Sequence, residues 1–428
     1  MIRFSIIGKN AQTQALDTLV NNISQLGTRD ISSINAQQYP YLRVSLRTID
    51  TARGTPWNLR SWRLTGQPVP EGAIAPNLLW LFTDTVTQGE PQQNRVAFKN
   101  VSAQPFDSLL ATRWVIDRNN VRHVIPTPRR RPLPAGDTLQ FSSSIDTRQL
   151  SGNNQFWLEV NPNNDQPKQF HFNNLVTRPF FVRADSLAPT LDVTFDGIHI
   201  LDNDIVSATP LIKARLRDQS SWILLTDTAV MQVQVRFPNG QIRRFYFAGD
   251  TLKFYPPAAS APTNNNEAVV DFLPDFRQDG TYELIIQGKD QSDNPAGKLS
   301  YRVSFRVINA AQVSELLNYP NPFTTSTAFV FTLTGRELPD YFKIEILTVT
   351  GKIIREIGLT ELGPIRIGRN ITQFKWDGTD QYGQPVANGV YLYRAVISKR
   401  GTKVATNTDL NGGSSWQNKG YGTIYLMR

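Results

Sequence analysis

Three histidines, His123, His171 and His199, are the only imidazoles in the chain, and cysteine is absent. Each histidine stands in a separate strand-like stretch, with no His-x-x-x-His or His-Glu spacing. A zinc centre needs several such ligands brought together, so the pattern argues against one. Without cysteine there is no disulfide, no thiolate ligand and no cysteine nucleophile on this chain. No Gly-x-Ser-x-Gly elbow accompanies the histidines, and no glycine-rich phosphate loop leads into Lys-Ser/Thr. The chain is therefore expected to carry no catalytic residue of its own.

Oxygen ligands are better represented. Asp290, Asp293 and Asn294 crowd into one interstrand turn, and Asn161, Asn163, Asn164 and Asp165 form a second oxygen-rich loop. Calcium takes six to eight hard oxygens, often from such loops, so Asp290, Asp293 and Asn294 are a candidate calcium site; no other cofactor is expected. Turn formation is the plain structural use of the same residues. Trp57, Trp62 and Trp114 are candidates for a sugar platform, with core packing as the alternative use.

The surrounding elements follow from composition. The 428 residues are 40% hydrophobic and only 19% charged, a length sufficient for several domains each burying its own core. Asn, Gln, Thr and Pro are plentiful, the palette of strands and turns. The net charge of +9 is modest for this length. Its densest cluster, Arg129, Arg130 and Arg131, lies between prolines without interleaved aromatics; it reads as a solvated loop, and no nucleic-acid partner is expected. No apolar run reaches the roughly 18 residues of a membrane-spanning helix. Residues 1–8 lack the apolar core of a signal peptide, and residues 3–7 read as a strand already in progress, as in a piece of a longer precursor.

Helical periodicity is scarce. Leu16, Leu19, Val20 and Ile23 fall at helical spacing and predict one short helix or an irregular connection over residues 15–26. Elsewhere alternation with period two dominates, which predicts an all-β chain of tandem Ig-like β-sandwich domains. The blocks are residues 1–74, a partial β domain reading as the tail of a domain begun upstream; 75–186; 187–310; and 311–428. In the third block, Asn239-Gly240 between two alternating runs signals a tight hairpin.

The last block carries the most specific motifs: Tyr319, Pro320, Asn321, Pro322 and Phe323; then Gly351; then Trp376, Asp377 and Gly378; then Gly389 and Tyr391. Each has a structural reason. The prolines fix φ and remove two donors, leading the chain extended into a strand with Phe323 free to be buried. Gly351 suits the positive φ of a hairpin turn. Trp376 is a large core anchor, and Asp377-Gly378 opens a turn.

In order and spacing these motifs resemble the FlgD-like Ig fold and, within it, the C-terminal sorting domain of Bacteroidota proteins exported by the type IX secretion system. The order of Asn100-Val101, the Leu133–Asp137 turn, Leu150–Asn154 and Val160–Asp165 makes block 75–186 similar to the CARDB family. The sorting-domain resemblance implies recognition by the outer-membrane translocon or shuttle proteins after Sec export, and a place on the cell surface, associated with the outer membrane or secreted. One departure is the insertion at residues 401–419, rich in Asn, Gly and Thr, before the final strand. That longer hairpin is similar to PorU-type proteins, gingipain-related cysteine peptidases acting as the sortase of the system. This resemblance implies an upstream peptidase domain as partner and a terminal domain that stays attached. An adhesin or carbohydrate-binding cargo of the same system is the alternative; a hook-capping scaffold lacks its helical assembly region here.

Overall fold

A computed structural model describes residues 2–23, 27–54, 59–61, 63–66, 68–168, 170–258, 260–399, 401–403, 405–407 and 420–428. Strands make up nearly all the regular structure, as the alternation predicts. Among the described residues, helix is confined to the single turn Leu359–Leu362 and the 3₁₀ turns Phe172–Asn174 and Thr228–Val230. The chain divides into two compact units, residues 1–68 and 69–428.

The first unit holds a three-stranded antiparallel sheet with Ile2–Lys9 between Leu16–Ile23 and Tyr41–Thr48. The helix expected over residues 15–26 is thus a strand. Leu16, Thr18 and Val20 also alternate, and register shifts opposite Ile6 let Ile23 pair with Phe4 despite the break in alternation. A bulge mimics helical spacing in this way, because one extra residue shifts the period locally. Trp57 and Trp62 lie outside the described residues.

The second unit contains three β-sandwiches, each around its own buried cluster. In the first, a sheet ordered Arg122–Ile125, Ala111–Ile116, Gly152–Val160, Leu175–Arg183, Thr85–Thr87 faces a sheet ordered Thr138–Ile145, Gln92–Asn100, Gly72–Ile74. Alternation within Gly152–Val160 turns Phe156, Leu158 and Val160 into the core beside Phe98 and Phe141. Full burial of such side chains contributes about 1.5–3 kcal/mol each. Because Gly72–Ile74 pairs with Gln92–Asn100, this sandwich begins before residue 75, and the preceding block ends at residue 68. Gly72 lies against the Phe98 ring, where a Cβ would come within 2.6 Å.

The next sandwich packs Thr190–Phe195, Ile212–Asp218, Asn266–Phe272 and Leu252–Tyr255 against a five-stranded sheet. That sheet is ordered Asp204–Val206, Tyr301–Val307, Gly280–Gly288, Met231–Arg236, Ile242–Phe245. The hairpin at Asn239-Gly240 forms, with one more loop residue than the dipeptide signals. Phe237 N donates to Gln241 O and Gly240 N to Phe237 O, with Gly240 at φ +84°. This is a three-residue loop closed by a glycine bulge.

The last sandwich orders Gly368–Trp376, Thr327–Thr334, Gln312–Tyr319, Ala405–Asn407 in one sheet. The other runs Ile353–Gly358, Tyr341–Thr348, Gly389–Lys399, Thr402–Lys403, with Gly422–Leu426 also on Gly389–Lys399. Of the insertion expected at 401–419, residue 404 and residues 408–419 lie outside the described residues.

Candidate functional site

Two places gather polar groups in ways that simple packing does not require. The first lies where the first two sandwiches of the second unit meet. The turn at Gln88 and Gly89 lies on Trp222 and Ile223; a Cβ on Gly89 would come within 2.7 Å of Ile223. Asp185, in the connection following Leu175–Arg183, donates its amide to Gln88 Oε1 at 3.0 Å, and its carbonyl accepts from Asn294 Nδ2 at 3.1 Å.

At this joint the carboxylates of Asp185, Asp218 and Asp290 lie within 4.8 Å of one another. Asp218 closes the strand Ile212–Asp218 and is 4% exposed; Asp290 follows Gly280–Gly288 and is 1% exposed. Asp290 Oδ1 accepts the Ser292 and Asn294 amides, each at 2.8 Å, and its Oδ2 accepts Asn294 Nδ2 at 2.7 Å. Asp218 Oδ2 accepts Asn266 Nδ2 at 3.2 Å. Asp185 Oδ2 is shut off from solvent and accepts no hydrogen bond among the described residues. Among the described residues no Lys, Arg or His pairs with any of the three. Burial and then the charges of Asp185 and Asp290 push the Asp218 carboxyl up to about 6. Burial, with the Asp290 charge adding to it, also raises Asp185. Buried carboxylates this close demand a proton or a cation, and their oxygens are hard ligands of the kind calcium takes.

The structure thus separates the residues expected to act together. Asp290 turns inward to Asp185 and Asp218, whereas Asp293, at φ +66°, turns out to Lys289 at 2.6 Å. Asn294 serves the joint as a donor, through its Nδ2. In the second oxygen-rich loop, Asn161 is spent on Gln166 and Asp165 pairs with Arg129. Asp185 and Asp218 had no sequence signal, being single aspartates far from Asp290 along the chain.

Beside the joint opens a cleft of ≈ 640 Å³ lined by Gln88, His123, Asp146, Arg148, Gln149 and Gln291 among others. His123 Nε2 is held by Asp117 Oδ2 at 2.9 Å, and His199 Nε2 by Asp192 Oδ1 at 2.6 Å. His171 precedes the turn Phe172–Asn174. None of the three bonds a serine hydroxyl among the described residues. Trp114 stacks on Trp157, with centroids 5.6 Å apart and planes 9° apart, while Arg122 from the other neighbouring strand covers it at 4.2 Å. Its ring is therefore engaged on both sides, and a sugar would have to displace Arg122.

The second place is the terminal sandwich, where the motif residues converge. Trp376 is fully buried, its ring 5.5 Å from Phe323 and 5.6 Å from Tyr391, and its Nε1 donates to Thr379 O at 2.8 Å. Asp377 Oδ1 accepts the Thr379 amide and hydroxyl, fixing the turn in which Gly378 takes φ +76°. Gly351, at φ +88°, closes the hairpin after Tyr341–Thr348. Tyr391 OH donates to Ala387 O at 2.6 Å, and Gly389, at φ +155°, starts the strand that holds this tyrosine.

Pro320 and Pro322 differ from expectation: both follow cis peptide bonds, and they leave the strand Gln312–Tyr319 rather than lead into it. Tyr319 is 76% exposed, while Phe323 is buried and bridges in parallel to Leu426. Between the prolines, the Asn321 side chain donates to Thr423 O at 2.8 Å and accepts Tyr425 N at 2.9 Å. Asn388 does the same for Arg428, whose guanidinium reaches the Asp377 and Gly378 carbonyls. The motifs therefore hold the final strand.

No family model matches the sequence, and no curated protein matches it. Among solved structures the chain is similar to dimeric latent PorU from Porphyromonas gingivalis, at 15% identity over 79% of this chain and 33% of that one, with a TM-score of 0.23. A CARDB domain from Pyrococcus furiosus, solved in complex with di-metal ions, matches at 16% identity over 30% of this chain and 99% of that one, TM-score 0.23. A tetra-tandem repeat from the extending region of a large adhesion protein matches at 12% identity over 99% and 92%, TM-score 0.23. The chain spans 33% of the PorU chain it matches.

Proposed function

We propose that the chain is the non-catalytic C-terminal region of a surface protein of the type IX secretion system. In this reading its stacked sandwiches position an upstream cysteine peptidase domain, as in a PorU-like sortase, and its terminal sandwich engages the outer-membrane translocon. The observation that carries the reading is the convergence of the sorting-type motifs on one structural task. Phe323, Asn321, Asn388 and the Asp377-Gly378 turn all grip residues 423–428. A receptor that reads a folded module needs such a uniquely closed surface. Calcium at Asp185, Asp218 and Asp290 belongs to the same proposal, as the ion that neutralises the joint and fixes one sandwich on the next.

The test is export. Behind a signal peptide, the full chain reaches the surface of a cell with an intact type IX translocon, and the chain lacking residues 311–428 stays in the periplasm. Equal surface display in a translocon-deficient strain overturns the proposal.

A further inference from the structure

The two outer faces of the middle sandwich carry charge very differently. On the four-stranded sheet, the outward Lys213, Arg215, Arg217 and Lys253 share their face with Asp192, Glu267 and Asp271. Lys213 pairs with Asp271 at 3.0 Å and Arg217 with Glu267 at 2.7 Å. That face is close to neutral.

On the five-stranded sheet, Val233, Val235, Leu284, Ile286, Val303 and Phe305 point into the core, so the alternate residues point out. The register sets Arg244, Gln234, Ile285 and Arg302 in one row across four neighbouring strands. The next row is Ile242, Arg236, Glu283 and Ser304, and Arg306 follows opposite Thr281. Four arginines thus face one acid on the strands themselves. Glu283 is shared, accepting from Arg236 at 3.1 Å and Arg302 at 3.2 Å. Arg244 and Arg306 are exposed and make no ion pair among the described residues. Asp202 and Asp204 lie only at the edge, tied to the Ser304 and Leu201 amides.

Strands lie about 4.8 Å apart, so Arg244 and Arg302 stand roughly 14 Å from each other. Between and beside them are the amides of Gln232, Gln234 and Gln287, the last directly opposite Gln232. An amide both donates and accepts, as a sugar hydroxyl does. A guanidinium presents a planar fork to a sulfate, phosphate or carboxylate. Exposed Tyr246, under Arg244 at 5.1 Å, adds an apolar surface at the end of the row.

We propose that this face of the middle sandwich binds an anionic polysaccharide, laid across the strands with its acidic groups at Arg244, Arg302 and Arg306 and its hydroxyls on the glutamines. An acidic protein would use the arginines but has no need of the amide rows; a nucleic acid would want more than one exposed ring on which to stack its bases.

The test uses the full chain and size-matched dextran sulfate and neutral dextran, by calorimetry at low and physiological salt. Dextran sulfate binds and neutral dextran does not. The pair Arg244→Glu with Arg306→Glu weakens binding tenfold or more, whereas Arg215→Glu on the balanced face leaves it within twofold. Both variants keep the wild-type thermal midpoint, since all three side chains are exposed. Equal loss in the two variants, or single-stranded DNA bound as tightly as dextran sulfate at the same charge, overturns the proposal.

Discussion

At the scale of residues, the joint between sandwiches turns on Asp218. Its carboxyl is raised to about 6 by burial and by the neighbouring Asp185 and Asp290, against an ordinary value near 4. For an acid raised in the folded state, the native protein holds the proton more tightly. The penalty is therefore present above about pH 6 and is relieved as pH falls toward 4. Under the proposed function, calcium would compete with the proton for the same oxygens. At pH 7.5, calcium bound there at one hundred times its dissociation constant would stabilise the fold by about 2.7 kcal/mol. The expected outcome is a thermal midpoint raised by calcium over EDTA at pH 7.5, with the gain shrinking through pH 6 and absent in Asp218→Asn. The variant, compared with the wild type at each pH, isolates the joint from the other ionisable groups of the chain. A calcium gain that survives unchanged in Asp218→Asn would sink it. This residue was illegible in the sequence, because an aspartate at a strand end looks like any turn former until the fold sets two others beside it. Asp290 was legible, since it heads a turn dense in oxygen.

At the scale of elements, period-two alternation announced an all-β chain, and among the described residues it was misread at residues 16–23, where a bulge interrupted it. The terminal motifs were legible as turn and core residues, but their shared target was not. Asn321 shows why: an asparagine between prolines signals a turn, while its actual partners are the backbone of residues 423 and 425. Removing both bonds in Asn321→Ala costs about 1–2 kcal/mol locally. Amide hydrogen exchange in residues 422–426 should then accelerate by roughly tenfold, with residues 341–348 unchanged. Uniform acceleration across the sandwich would show that Asn321 supports the whole core instead.

At the scale of the second unit, sandwiches meet through backbone contact as well as side chains. Gly368, at φ +102°, lies so close to Ile205 O that a Cβ would strike it, and Arg336 pairs with Asp275 and Asn309 across the same junction. A valine there is strained by its φ and by the clash. Gly368→Val is expected to expose the connection at residues 308–311 to a dilute protease while each sandwich resists. Wild-type cleavage rates in the variant would mean the junction is held by the arginine alone. No sequence pattern announced these contacts, since a lone glycine at a strand start is compatible with any turn.

The stacked indoles of Trp114 and Trp157 have a separate consequence. Two chromophores 5.6 Å apart and nearly parallel couple their electronic transitions, and they belong to one sandwich only. That domain therefore carries its own chiroptical signature, distinct from that of Trp376 in the terminal module, which packs against Phe323 and Tyr391. In a chain of several sandwiches with similar strand content, the order in which the domains melt becomes readable without a label.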